Sequence, residues 1–369
     1  MSTSMAAVLK RRSQEGRALK GARRRGCAAW SGWVLLLLLL AALPYLGLGD
    51  FLTGNVTLVF VYAVAILGLD LLTGEAGQVS LGHGGLMGLG AYVTALLVLH
   101  TGASLYWTLL VAPFAAAVLG LVFAVCALRL SGLYLALATF ALALAVPQAA
   151  VYFTSLTRGE AGLSVPTMGS PIAQLSAENW LYYLCLVFSV WGLIASRLIV
   201  TSRVGRALHA VRDNAYVATA CGIRVSNVKI FAFTVSAMYA GVAGALLAIA
   251  NSFVSPTSVS FTLSLSLFVS LGIAGYGAPI SALFAGVIMV YLPLESDRIS
   301  SGFSGIVYGG VIVVLVLVGR GGLVDLLIRA RDWGRLRVMG TGRRTGGNTS
   351  PEPKEMLGTG ASGDAGVRL

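Results

Sequence analysis

Between residues 30 and 320 the chain consists of long apolar runs separated by short polar or glycine-containing breaks. Because a helix needs roughly 20 mostly apolar residues to cross a bilayer, each run is a candidate transmembrane helix. We predict an all-α integral membrane protein with about ten such helices, or as few as eight where neighbouring runs merge. The candidate spans are residues 30–49, 51–72, 85–100, 105–128, 133–153, 180–200, 230–250, 261–277, 279–294 and 303–319.

The basic residues are concentrated in three regions. Of 26 Lys and Arg, eight lie within residues 1–29, six within 197–229 and nine after Gly319. Since Lys and Arg gather on the cytoplasmic side of membrane proteins, both termini and the loop at 201–229 are predicted to be cytoplasmic. The spans agree with this, because an even number of them separates each basic region from the next.

The organisation that follows has three parts. Residues 1–29 form a basic cytoplasmic tail, and residues 30–320 form a transmembrane domain that contains the cytoplasmic loop 201–229. Residues 321–369 form a cytoplasmic tail that is largely disordered, because its end is rich in Gly, Ser, Thr and Pro. The first apolar run resembles a signal peptide, but its cleavage site is weak and we interpret it as a retained helix.

Composition supports the membrane assignment and excludes several kinds of activity. The chain is 57% hydrophobic and 11% charged, whereas soluble domains average about 25% charged residues. The net charge of +12 is explained by topology rather than by nucleic-acid binding. No lysine follows a glycine, so the phosphate-binding motif G-x-x-x-x-G-K-[ST] is absent. We expect no catalytic residues, no metal site and no cofactor on this chain. We also expect the chain to lie in the cell membrane as a multi-pass protein.

One stretch combines weak helix formers with polar side chains. Seven glycines lie between Gly74 and Gly90, and each interior glycine costs a helix roughly 1 kcal/mol against alanine. The stretch is either a broken element beside a translocation path or a site of close helix packing. For His83, a structural hydrogen bond and a role in the path both remain open. Asp70 ends the preceding apolar run, and we expect it to reach water. The path candidates are Gln78, Ser80, Gly82, His83, Gly84 and Tyr92.

A second stretch, Gly205 to Phe233, lies in the predicted cytoplasmic loop. Apolar residues recur there at helical spacing, and Gly222 stands at a natural helix C-terminus. We therefore predict one short amphipathic helix that projects from the membrane. Its apolar face is made shallow by alanines, which favours docking into a protein groove over lying on lipid.

Both stretches resemble the permeases of ABC importers for branched-chain amino acids, in their LivM-like branch. Residues Gly74–Tyr92 resemble the family signature G-x-x-G-Q-[LV]-S-L-G-H-x-x-[FL]-x-G-x-G-A-Y, and Gly205–Ile223 resemble G-R-A-x-x-A-x-R-[ED]-[ND]-x-x-A-x-x-x-G-I. The similarity covers roughly residues 50–330. Asp70 departs from the family pattern, which usually has Asn there.

The resemblance implies an assembly and a role for each stretch. This chain would work with a second homologous permease subunit, two cytoplasmic ATPase subunits that bind the ATP, and an extracytoplasmic substrate-binding protein. The helix at Gly205–Ile223 would be the coupling helix that the ATPases move, with the candidate residues Gly205, Arg206, Arg212, Asp213, Ala218 and Gly222.

Other functions remain open at this point. The solute of such an importer could be a branched-chain or other amino acid, urea, a short amide or a sugar. A secondary transporter driven by ions would need acidic residues near the middle of the membrane, but Asp70 lies near the end of its span. A membrane-bound enzyme is the remaining alternative.

Overall fold

The computed structural model describes residues 40–46, 49–130, 132–170, 176–277, 279–299 and 309–310. Most of these residues are helical. The helices are α1 (Asp50–Leu69, continued by a π-helical turn at Asp70–Glu75), α2 (His83–Thr101), α3 (Leu105–Cys126), α4 (Leu133–Tyr152), α5 (Thr154–Thr157), α6 (Ala177–Thr201), α7 (Arg203–Asp213), α8 (Ala215–Ala220), α9 (Val225–Asn251), α10 (Phe261–Ala274) and α11 (Ser281–Ile299). Three short 3-10 segments lie at Leu43–Leu46, Ala127–Arg129 and Gly159–Ala161.

Six helices are long and apolar enough to cross a membrane: α1 with its π-helical turn, α2, α3, α4, α6 and α9. They confirm six of the predicted spans. The predicted span 261–277 is the 14-residue helix α10, which is about 21 Å long and shorter than a bilayer core of about 30 Å. The predicted span 279–294 corresponds to α11. Span 30–49 is described only at residues 40–46 and 49, and span 303–319 only at residues 309–310, so the total number of spans and the side of the termini remain predictions.

The core of the bundle is formed by α1, α2 and α9, and α9 packs against α1, α2 and α3. Small residues bring these helices together. A Cβ atom on Gly244 of α9 would lie 1.9 Å from the carbonyl oxygen of Met87 in α2, and one on Gly90 would lie 2.4 Å from the carbonyl oxygen of Gly241. Since lipid provides no hydrophobic drive for helices to associate, close packing of small residues takes its place.

The segment that leads from α9 to α10 is extended rather than helical. It begins with strand β2 (Phe253–Val254), which pairs antiparallel with β1 (Leu163–Ser164) in the register Leu163↔Val254. This pair of two-residue strands is an exception to the all-α prediction. Val259, further along the segment, lies beside Gly88 of α2. Non-helical backbone at membrane depth has to be buried in protein or line a cavity, and Val254 and Val259 are buried.

The close approach of α2 and α9 gives a stability prediction. A Gly244→Ala change places a methyl group against the Met87 carbonyl, and overpacking of this kind typically costs about 1–3 kcal/mol. We expect a lower thermal unfolding midpoint for the detergent-purified protein. Gly54→Ala in α1 is the matched control, because no described atom lies within 4 Å of its Cβ position. Equal midpoints for the two variants would contradict the packing role of Gly244.

Candidate functional site

A break in the helical backbone separates the π-helical turn from α2. Residues 76–82 have no regular secondary structure. Neighbouring helices hold this break in place, since the backbone N–H of Leu81 donates to Thr139 Oγ1 of α4 at 3.0 Å. Just after it, the N–H of Gly84 donates to Ser264 Oγ of α10 at 2.8 Å. In this conformation the break is therefore held by contacts with α4 and α10.

The glycines of this stretch are also sites of close packing. A Cβ atom on Gly82 would lie 2.7 Å from the carbonyl oxygen of Thr139, and one on Gly84 would lie 2.5 Å from Ser264 Oγ. The structure thus contains both features that the sequence offered as alternatives: the backbone leaves the helix, and the glycines permit close contact. Neither feature tests a role in translocation, which remains a prediction.

The polar path candidates lie inside the protein. Gln78, Ser80 and Tyr92 are buried, and Ser80 Oγ accepts from the N–H of Gly82 at 3.4 Å. Within the part of the chain that is described, Gln78 Nε2 and the Tyr92 hydroxyl have no hydrogen-bond partner. These two polar atoms are therefore available to a polar solute or to a partner group in another conformation.

His83 begins α2 and is fully buried. Its Nε2 atom lies 3.2 Å from the position that a Cβ on Gly68 of α1 would occupy. The ring interacts with the backbone of Ala65, but among the described residues neither nitrogen has a partner with regular hydrogen-bond geometry. His83 therefore packs tightly at the contact of α1 and α2, and both roles that the sequence left open for it stay predictions.

An apolar groove of about 510 Å³ lies between α3, α6 and α9. It is lined by side chains such as Phe114, Trp191 and Val242, and the path candidates do not line it. The hydroxyl of Tyr239 borders this groove and donates to the Gly192 carbonyl at 2.9 Å. The groove is therefore a separate feature of the bundle surface.

The second stretch forms two helices, α7 and α8, where the sequence predicted one. The chain turns sharply out of α6: Ser202 Oγ accepts from the N–H groups of Val204 and Gly205, and a Cβ on Gly205 would lie 1.9 Å from the Val200 carbonyl oxygen. The predicted helix is interrupted at Asn214, whose backbone is extended. The Asn214 side chain accepts from two N–H groups at the start of α8, and this capping favours a new helix over continuation.

The predicted coupling residues are distributed over both helices and the turn that follows. Arg206 and Asp213 are exposed, whereas Ala218 is buried against the bundle. Gly222 lies just beyond α8 with a φ of +82°, the left-handed conformation that favours glycine at a helix end. The predicted C-terminal role of Gly222 is thus confirmed. Besides charged residues, α7 and α8 expose large side chains, notably Tyr216 and Val217.

The two stretches contact each other at the end of α1. The Arg212 guanidinium of α7 donates to the Gly74 carbonyl oxygen, and Gly77, with a φ of +68°, lies against the Arg212 side chain. Beside this contact, His209 Nε2 pairs with Glu75 Oε2. The sequence prediction missed Glu75 and His209. A usable signal was the spacing of His209 and Arg212, which places them on one helix face.

The burial of Asp70 contradicts the expectation that this residue reaches water. It is 2% exposed, and its Oδ1 atom accepts from the N–H of Gly277 at 2.8 Å. Gly74 makes room for this bond, because a Cβ there would lie 2.2 Å from Asp70 Oδ1. The carboxylate is buried because it bonds to the backbone of the turn that follows α10. The sequence alone does not reveal this contact.

The chain is similar in sequence to known permease proteins. Residues 51–317 match the family described as "Branched-chain amino acid transport system / permease component". The chain is 29% identical to the high-affinity branched-chain amino acid transport system permease protein LivM of Escherichia coli K12 over 79% of this chain and 74% of that protein. It is 25% identical to the permease protein LivH of Salmonella typhimurium LT2 over 72% of this chain and 91% of that protein. No solved structure matches the chain.

The matched region includes α2 to α11 and all of α1 except Asp50, and therefore both stretches and the residues that join them. The described helices are those of a multi-pass membrane protein. The relatives are permease proteins of transport systems for branched-chain amino acids. This chain belongs to the permease family of branched-chain amino acid transport systems.

Proposed function

We propose that this chain is one of two permease subunits of an ATP-binding-cassette importer in the cell membrane. It would form half of the translocation path for branched-chain or other amino acids. Two cytoplasmic ATPase subunits would bind the ATP, and an extracytoplasmic binding protein would deliver the solute. On this proposal the chain itself is not an enzyme, and α7 and α8 face the cytoplasm.

The observation that carries the proposal is the contact between α7 and the end of α1. Arg212 and His209 reach Gly74 and Glu75, at the start of the stretch that holds the path candidates. A helix pair that is exposed on its other face offers a surface to a partner. Movement of that pair can therefore be passed directly to the break before α2, which is the mechanical requirement of an importer driven by a separate ATPase.

The alternative of an ion-driven transporter lacks a comparable support. In the described spans, the buried carboxylates of α1 are Asp70 and Glu75, and both lie in the last turn before the break. Their partners are a backbone N–H and a histidine. This arrangement fits anchoring at the membrane surface better than an ion site near the middle of the bilayer.

Reconstitution tests the proposal. The chain is co-expressed with a second permease of this family, two ATPase subunits and a binding protein, and the assembly is placed in proteoliposomes. We expect uptake of labelled leucine, isoleucine or valine that requires ATP and the binding protein. Uptake of urea, a short amide or ribose instead would identify a different solute. Uptake that follows an ion gradient without ATP would contradict the importer class.

Reversal of one charge tests the coupling role. In Arg212→Glu the bond to the Gly74 carbonyl is lost, and a carboxylate is placed near Glu75. We expect uptake per ATP hydrolysed to fall by about 10-fold, since the loss of one charged hydrogen bond corresponds to roughly 1.5–3 kcal/mol. Membrane insertion, measured by the yield of folded protein, should stay unchanged.

The matched control is Arg158→Glu, because Arg158 is exposed in the connection between α4 and α6. That connection lies at the opposite end of the bundle from α7, as the alternation of the helices requires. Normal uptake per ATP in Arg212→Glu, or an equal loss in Arg158→Glu, would remove the support for α7 as the coupling element.

A further inference from the structure

The Glu75 side chain is buried although it lies at the very end of a span. Its side chain is 4% exposed, whereas that of its partner His209 is 45% exposed. A buried carboxylate needs a cation or several hydrogen-bond donors, because burial removes its water. His209 provides the side-chain partner of this carboxylate. The pair therefore connects a fixed point inside the bundle to a group on the exposed helix α7.

The place on α1 that this pair holds is not an ordinary helical turn. Residues Asp70–Glu75 form a π-helical turn, a geometry that is frequent at functional sites because the extra residue weakens the regular hydrogen-bond ladder. The backbone after it has no regular structure until α2 begins. Glu75 therefore ends a π-helical turn that non-helical backbone follows directly.

The same turn is anchored on its other side. Asp70 Oδ1 accepts from the N–H of Gly277, in the connection that follows α10. Asp70 and Glu75 are the first and last residues of the π-helical turn. One end of the turn is thus held by the α10 connection and the other by α7, so that displacement of α7 changes the turn relative to α10.

No short loop connects α7 to α1. Along the chain α7 lies between α6 and α8. The 133 residues 70–202 separate the end of α1 at Leu69 from the start of α7 at Arg203. The contact of α7 with α1 is made at the π-helical turn by side chains, and His209 and Arg212 lie on one face of α7. Arg212 bonds to backbone and packs on Gly77, whereas Glu75 and His209 are both side chains and can be exchanged independently.

We propose that Glu75 and His209 form a positioning pair that transmits the movement of α7 to the π-helical turn at the end of α1. The proposal rests on the coupling role of α7 given under Proposed function, and it names the side chains through which that role reaches the translocation path. Loss of either partner leaves the packing of α7 and the Arg212 bond to Gly74 in place. It removes the side-chain link between α7 and the end of α1. The pair acts through the position of the turn and does not contact solute.

A double-mutant cycle in the reconstituted assembly tests the pair. The variants are Glu75→Gln, His209→Gln and the combination, and the measurement is solute taken up per ATP hydrolysed. We expect each single variant to lower this ratio by about 5-fold, and the double variant to lower it by about the same factor, since contacting residues are not additive. His209→Lys places an ammonium group beside Glu75 and should recover most of the ratio.

The matched controls are Glu178→Gln at the start of α6 and His100→Gln near the end of α2, because both residues are exposed. They should leave the ratio unchanged. Normal coupling in Glu75→Gln, or single effects that multiply in the double variant, would overturn the inference while the importer function stands. Failure of the unmodified chain to support ATP-driven uptake would overturn the proposed function, and the inference with it.

A covalent link gives a second measurement that does not depend on the stability of the single variants. In a Cys221→Ser background, Glu75→Cys and His209→Cys are combined and joined by a short thiol cross-linker, and the protein before cross-linking is the reference. We expect low coupling before cross-linking and recovery of at least half of the normal ratio after it. Cross-linking that stops transport would show that the two positions separate during the cycle, and it would overturn the inference.

Discussion

A buried carboxylate at the end of a transmembrane helix requires a partner, and this requirement joins the two distinctive stretches of the chain. Glu75 is shielded from water, and its Oε2 atom pairs with His209 Nε2. The neighbouring Arg212 satisfies the Gly74 carbonyl, which the π-helical turn leaves outside the regular ladder. Because buried polar groups need partners within the protein, the end of α1 depends on α7 for both its carboxylate and its carbonyl.

Close packing determines how such a bundle can move. The glycines of α2 contact α4, α9 and α10 at distances that leave no room for a single added carbon atom. Interfaces of this density are not continuously deformable. Conformational change therefore consists of rigid-body displacement of helix groups, with the non-helical residues 76–82 and the extended segment before α10 as the places where the backbone can adjust.

The sequence predicted the long apolar helices well, because length and hydropathy alone determine which segments can cross a bilayer. It also predicted Gly222 as a helix terminator, since that signal is local. The break at Asn214, the shortness of α10 and the burial of Asp70 were missed. Each of these depends on a partner distant in sequence or on competition between a cap and a continuing helix. The contact of Glu75 with His209 joins residues 134 positions apart, and no periodicity within one segment can indicate it.

The same separation has a consequence for biogenesis. Asp70 and Glu75 leave the ribosome long before the residues that will satisfy them, and Gly277 follows Asp70 by 207 positions. At synthesis rates of about 5–20 residues per second, His209 follows Glu75 by roughly 7–27 s. During that interval Glu75 lacks the partner that it has in the folded chain. The end of α1 therefore acquires the contacts described here only after α7 and the connection that follows α10 have been made.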